Sequence, residues 1–184
     1  METEYTKISE LMENHQRIMG LMNRVNAETL KAVHNRQEAK KAAGTDKVTK
    51  YEYAQNLDGN LEDLVKRMKT FSYKPQPVRR VYIPKAGSDK MRPLGIPAYE
   101  DKLVQGAMAD ILQEIYEPKF LDCSYGFRPG RDCHQAVAAL RETIFRGYVR
   151  EVVDADIKGF FDNVNHEWLI KFLEHDIADK NFIR

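Results

Sequence analysis

Apolar residues recur at spacings of three and four over the first part of the chain. Ile8, Leu11, Met12, His15, Ile18, Met19 and Met22 predict a helix. Asn26 is placed to cap a second helix, with Glu28 in its first turn, running through Leu30 and Val33 toward Ala39. Gly44 is a helix stop and Thr45-Asp46 opens a loop, followed by a short helix around Tyr51 to Gln55. Asn60 precedes Leu61, Leu64, Val65 and Met68, the pattern of a capped amphipathic helix. The pattern changes at Ser72. YKPQP is extended, because proline and the residue before it avoid the helix. Val78–Ile83 and Met91–Ile96 read as two strands joined by the turn Ala86-Gly87-Ser88-Asp89, with Pro93 marking an edge.

Glu100 to Tyr116 predicts a long helix with Val104, Met108, Ile111 and Ile115 on one face, stopped at Pro118. A loop, FLDCSYGFRPGRD, ends on Asp132, which caps a helix with Ala136, Val137, Leu140 and Ile144 as its buried face and Gly147 as its end. Val149 to Ile157 reads as a strand. Asn165 caps a last helix bearing Trp168, Leu169, Phe172 and Leu173. The pattern is thus mixed α+β.

Composition excludes several classes. With 184 residues, 42% hydrophobic and 31% charged, the chain can bury a core without staples. No apolar run reaches the ~18 residues of a membrane span. The polar start METEYTKISE does not read as a signal peptide, and Cys123 and Cys133 are too few for a disulfide scaffold. A reduced, cytoplasmic protein is the expectation.

Net charge is only +1, but it is unevenly spread. From Lys66 to Arg92 there are nine cations and one anion, Asp89, which leaves the remainder net acidic. Such a stripe suits a polyanion partner, and a solvated basic face is the simpler alternative.

Three constellations can carry chemistry. Asp154 and Asp156 lie two apart on the expected strand, hence on one face, as hard-metal ligands or as plain edge aspartates. The hairpin carries Arg79, Arg80, Lys85, Lys90 and Arg92, cations suited to phosphates or to keeping an edge strand soluble. The loop YGFRPGRD offers Arg128 and Arg131 for phosphate contacts and Tyr125 and Phe127 for stacking, with Phe127 also expected to anchor the loop in the core.

Four motifs in order carry a family resemblance: R-x-Y-I-P-K at 80–85, R-P-L-G-I-P at 92–97, S-Y-G-F-R-P-G-R at 124–131 and D-A-D-I-K-G-F-F-D-N-V-N-H at 154–166. The chain resembles the N-terminal part of a bacterial group II intron-encoded reverse transcriptase/maturase. The resemblance implies a helical N-terminal extension (1–43), fingers (44–148) with the basic hairpin, and the start of a palm (149–184). It implies a catalytic, Mg²⁺-binding Asp156 with Ile157 beside it in the metal and nucleotide site. Phe161 screens the sugar 2′ carbon, and Lys85 and Arg92 hold the incoming triphosphate. Template or intron RNA falls to Arg79, Arg80, Lys90, Leu94, Gly95, Ile96, Pro97, Arg128 and Arg131. The implied partners are intron RNA, an RNA template with DNA primer, and deoxynucleotides.

A complete polymerase of this family has a [YF]-A-D-D turn, and no D-D pair occurs here. The expectation is therefore a fragment without polymerase activity of its own. A non-catalytic RNA-binding module for splicing, a reverse transcriptase of a retron, diversity-generating or CRISPR-associated system, and a soluble interaction domain remain alternatives. A first palm strand without its neighbours leaves open edges, so a homodimer is expected.

Overall fold

A computed structural model describes Ile8, residues 17–84, Gly87 and residues 89–184. The expected first helix falls largely outside these residues, as does Lys85. The described elements are α1 (Ala27–Arg36), α2 (Lys50–Ala54), α3 (Leu57–Lys69), β1 (Arg79–Pro84), β2 (Met91–Ile96), α4 (Tyr99–Tyr116), α5 (Cys133–Arg146), α6 (His166–Asp176) and α7 (Lys180–Ile183). Short 3₁₀ turns occur at Leu21–Arg24, Glu117–Lys119 and Phe161–Asn163. The chain divides into two compact units, one of residues 20–112 and one of residues 1–19 with 113–184. Helix α1 packs against α3 and so belongs to the unit that holds the hairpin.

In the 20–112 unit, Asn26 caps α1 through a reciprocal pair with Thr29: each backbone N–H donates to the other's side chain at 3.0 Å. The helix ends at Arg36, short of Ala39. Thr49 and Glu52 form the same kind of box for α2. Helix α3 starts at Leu57 rather than after Asn60, which sits inside it and donates from its side chain to the Tyr53 carbonyl at 3.0 Å. Leu21, Val25, Leu30, Val33, Leu61, Leu64, Leu103, Val104, Ala107 and Ile111 form the core. Gly44 does not end a helix. It is buried in a loop so close to the hairpin's end that a Cβ would overlap the Pro97 carbonyl and the Ala98 nitrogen.

β1 and β2 pair antiparallel, Arg79 opposite Ile96 and Pro84 opposite Met91. In this register Arg79, Val81 and Ile83 share a face with Ile96, Leu94 and Arg92, whereas Arg80 and Tyr82 point to the other.

The other unit has a smaller core of Ile8, Ile18, Ile115, Ile177 and Phe182. Ile18 bridges the turn after α6: its N–H donates to the Asp176 carbonyl at 2.9 Å and its carbonyl accepts from Ala178 at 2.8 Å. Asp132 and Asn165 cap α5 and α6 as expected. Two expectations fail here. Val149–Ile157 forms no strand, because extended backbone needs a partner ladder and the pair β1–β2 is the only sheet among the described residues. Val153 stands 88% exposed. The apolar stripes of α5 (Val137, Leu140, Ile144) and α6 (Trp168, Leu169, Phe172) are present but face solvent.

Two predictions follow from the 20–112 unit. Gly44→Ala forces the loop off the hairpin's end and should cost about 1–3 kcal/mol in a denaturant titration. His34 is buried and held below its usual pKa by that burial and by the charge of Lys50. The unfolded chain therefore binds the proton more readily, so stability is full above the unfolded value near 6.5 and falls as pH drops below it. His34→Gln should flatten the melting temperature between pH 7.5 and 5.5.

Candidate nucleic-acid interface

The first turn of α4 organises this interface. Glu100 accepts a bidentate pair from the Arg67 Nη2 atom, at 2.8 and 2.9 Å, and Arg67 Nε donates to Asp63 at 2.6 Å. Asp101 is buried and accepts from the Tyr73 hydroxyl and, at 2.9 Å, from the Gln76 backbone N–H. The Tyr99 N–H donates to Asp46 at 2.7 Å, and its hydroxyl meets His34 Nδ1 at 2.9 Å. Burial pushes the Tyr99 hydroxyl up to about 12. Burial, then the Asp101 hydrogen bond, raises Tyr73. Four segments are thus tied to one helix start: α3, the Pro-rich linker, the 42–48 loop and α1.

These ties separate structural cations from surface ones. Arg67 belongs to the fold. Arg79 Nε donates to the Ala43 carbonyl at 2.9 Å, which fixes where its guanidinium sits. Lys66, Lys69, Lys74, Arg80 and Arg92 stand exposed. Of the L-G-I-P run, Leu94 and Gly95 are exposed, Ile96 is buried and Pro97 half-buried against Gly44. A cavity of about 340 Å³ in the same unit is lined by Asp46, Glu52, Glu100, Tyr53, Tyr99 and Gln76 among others. Its carboxylates give it the wrong sign for a phosphate.

In the other unit the YGFRPGR loop is held by its own arginines. The Arg128 side chain is only 7% exposed and donates to Glu117 Oε1 at 2.8 and 3.0 Å and to the Leu121 and Ser124 carbonyls. Arg131 donates to the Asp122 carbonyl at 3.0 Å and lies over the Tyr125 ring. Both arginines expected at RNA also hold the loop together. Phe127 does not anchor it: the ring is fully exposed, on a backbone with φ of 58° that non-glycine residues rarely adopt.

Asp154, Asp156 and Ile157 lie in the exposed segment without regular structure, and Phe161 opens a 3₁₀ turn after Gly159. No group of three His, Cys, Asp or Glu side chains able to hold a metal ion occurs among the described residues. Two-ion catalysis needs several ligands around ions about 3.5–4 Å apart, and these residues do not assemble that set. No helix of the described residues is long and apolar enough to cross a membrane.

Comparison with known proteins fixes the class. The profile of the family described as "Reverse transcriptase (RNA-dependent DNA polymerase)" matches residues 83–183, from the hairpin to α7, and the chain belongs to this family. The group II intron-encoded protein LtrA of Lactococcus lactis subsp. cremoris is 48% identical over 126 residues, 66% of this chain and 21% of that protein. Protein YkfC of Escherichia coli (strain K12) is 39% identical over 145 residues, 76% of this chain and 37% of YkfC. The putative COX1/OXI3 intron 2 protein of Saccharomyces cerevisiae is 32% identical over 196 residues, 98% of this chain and 22% of that protein. The chain spans about a fifth of LtrA and of the yeast intron protein.

Asp101→Ala leaves the Tyr73 hydroxyl and the Gln76 N–H without their acceptor. It should destabilise the 20–112 unit by about 2–4 kcal/mol, read by chemical denaturation. An unchanged midpoint would show that the linker does not depend on this carboxylate.

Proposed function

We propose that this chain is the nucleic-acid-binding N-terminal part of an RNA-directed DNA polymerase and intron maturase, contacting intron or template RNA through the β1–β2 arm. The observation that carries the reading is a two-stranded arm with Arg80 and Arg92 exposed on it, tied at its base to α4, in a chain of the reverse transcriptase family. The similarity to an intron-encoded protein favours intron RNA as the partner. In the whole polymerase, Asp156 contributes one carboxylate to Mg²⁺, with Ile157 beside it. Phe161 lies at the sugar of the incoming deoxynucleotide, and Lys85 and Arg92 at its triphosphate.

A second reading is a splicing-type RNA-binding module without chemistry of its own, which the similarity to intron-encoded proteins also supports. The same reading includes self-association through the exposed apolar side chains of residues 149–172.

Fluorescence anisotropy with a labelled 20-nucleotide RNA tests the proposal. Affinity should fall steeply with salt, and joint reversal of Arg79, Arg80 and Lys90 to Glu should weaken it about tenfold or more across RNA sequences. Unchanged affinity in a correctly folded triple variant contradicts it. The same preparation should not extend a primer. Light scattering over a concentration series should give a mass above 21.4 kDa, and a monomer at every concentration rules out self-association.

A further inference from the structure

Two cations from separate segments converge on the loop at the base of the arm, and a third, Lys41, belongs to that loop. Lys102 Nζ, from the first turns of α4, donates to the Ala42 carbonyl at 2.7 Å. Arg79 Nε, from the start of β1, donates to the next carbonyl, Ala43, at 2.9 Å. Lys41 precedes both carbonyls in the loop. Its own acidic neighbour, Glu38, stands 4.0 Å away, at the limit of an ion pair. The loop is seated firmly: Thr45 Oγ1 donates to the Pro77 carbonyl at 2.9 Å, and Gly44 is buried against Pro97 and Ala98.

The charges are close enough to feel one another. Burial lowers the Lys102 pKa first. Asp46 opposes that shift, and Lys41 and Arg79 add to it. Asp46 acts on Lys102 in this way, and its two oxygens already accept from the Val48 and Tyr99 N–H groups. Each cation keeps donors that these contacts do not use: the Arg79 guanidinium Nη atoms and the remaining ammonium protons of Lys102 and Lys41. Holding like charges together costs free energy that a bound anion recovers. A planar guanidinium with two ammonium groups is a donor set suited to phosphate oxygens.

We propose that Lys41, Arg79 and Lys102 form a clamp for the phosphodiester backbone of a nucleic-acid strand running past the base of the β1–β2 arm. This rests on the reading of the chain as an RNA binder and adds to it Lys41 and Lys102, which the motifs do not mark. A strand is favoured over a free polyphosphate because Lys41 and Arg79 are exposed, Lys102 is half-buried beside their loop, and Arg79 is continuous in sequence with the arm's exposed Arg80.

The test uses residues 1–184, a labelled 20-nucleotide single-stranded RNA and inorganic tripolyphosphate. Lys41→Ala with Lys102→Ala should lower the slope of log affinity against log salt by about 1.4, the value for two single-strand phosphate contacts. Lys171→Ala, on α6, should leave the slope unchanged, and Lys102→Arg should retain most of it. In the wild-type chain the Lys102 side-chain pKa, followed by NMR, should rise when RNA is added. That measurement also decides the matter if the double variant fails to fold. An unchanged slope in a folded double variant, or a Lys102 pKa that RNA does not move, overturns the clamp. Tripolyphosphate that raises the Lys102 pKa at lower concentration than RNA overturns the strand assignment. A wild-type chain without RNA affinity overturns the functional reading and the clamp with it. RNA affinity with an unchanged slope overturns the clamp alone.

Discussion

The start of α4 is the constraint on which the 20–112 unit depends. Three consecutive residues there, Tyr99, Glu100 and Asp101, each bind a different segment. Glu100 takes the Arg67 guanidinium from α3, Asp101 takes the linker at Tyr73 and Gln76, and the Tyr99 backbone takes Asp46 from the loop. Acidic side chains in a helix's first turn also sit favourably in its dipole. A buried carboxylate with two partners is stable only while both remain, so the linker entering the arm is fixed with the helix that follows it. The arm is a hairpin and would be marginal in isolation. Its orientation comes from these ties and from Gly44, whose missing side chain lets the loop backbone touch the hairpin's end.

This arrangement also sorts the charge. The stripe from Lys66 to Arg92 is uniform as a sequence, but the fold takes Arg67 into a bidentate pair and directs Arg79 toward a carbonyl. What remains exposed is concentrated on and beside the arm. Three carboxylates of the same unit, those of Asp46, Glu52 and Glu100, line a separate cavity. Segregation of this kind gives a chain of net charge +1 a cationic surface. The arginines of the YGFRPGR loop show the opposite use, with Arg128 buried against Glu117 and two carbonyls.

Local signals were legible in the sequence and long-range ones were not. Asn26, Asp132 and Asn165 cap the helices they precede, because capping needs only the next three residues. The hairpin and α4 follow from turn chemistry and a sustained apolar face. The Asn60 cap fails by four residues: Asn56 stands at the true start, and the choice between two asparagines depends on how α2 packs before it. The strand at 149–157 fails for a different reason. An apolar run reports a tendency to be extended, but a strand exists only with a neighbour to bond. The stripes on α5 and α6 likewise specify a face and not what covers it. Lys102 and Asp101 carry no signal in a single sequence, since their partners lie 60 and 25 residues away. The family motifs were the most specific part of the sequence, and the profile match over residues 83–183 agrees with them.

Hydrogen exchange measured on residues 1–184 with and without a single-stranded RNA tests the central claim, that the arm and its base are the nucleic-acid surface, most directly. The account predicts slowed exchange in the 40–47 loop, in β1 and β2 and in the first turns of α4, with α6 and α7 unchanged. Protection confined to α5, α6 and the 149–163 segment, with the arm unaffected, would contradict it.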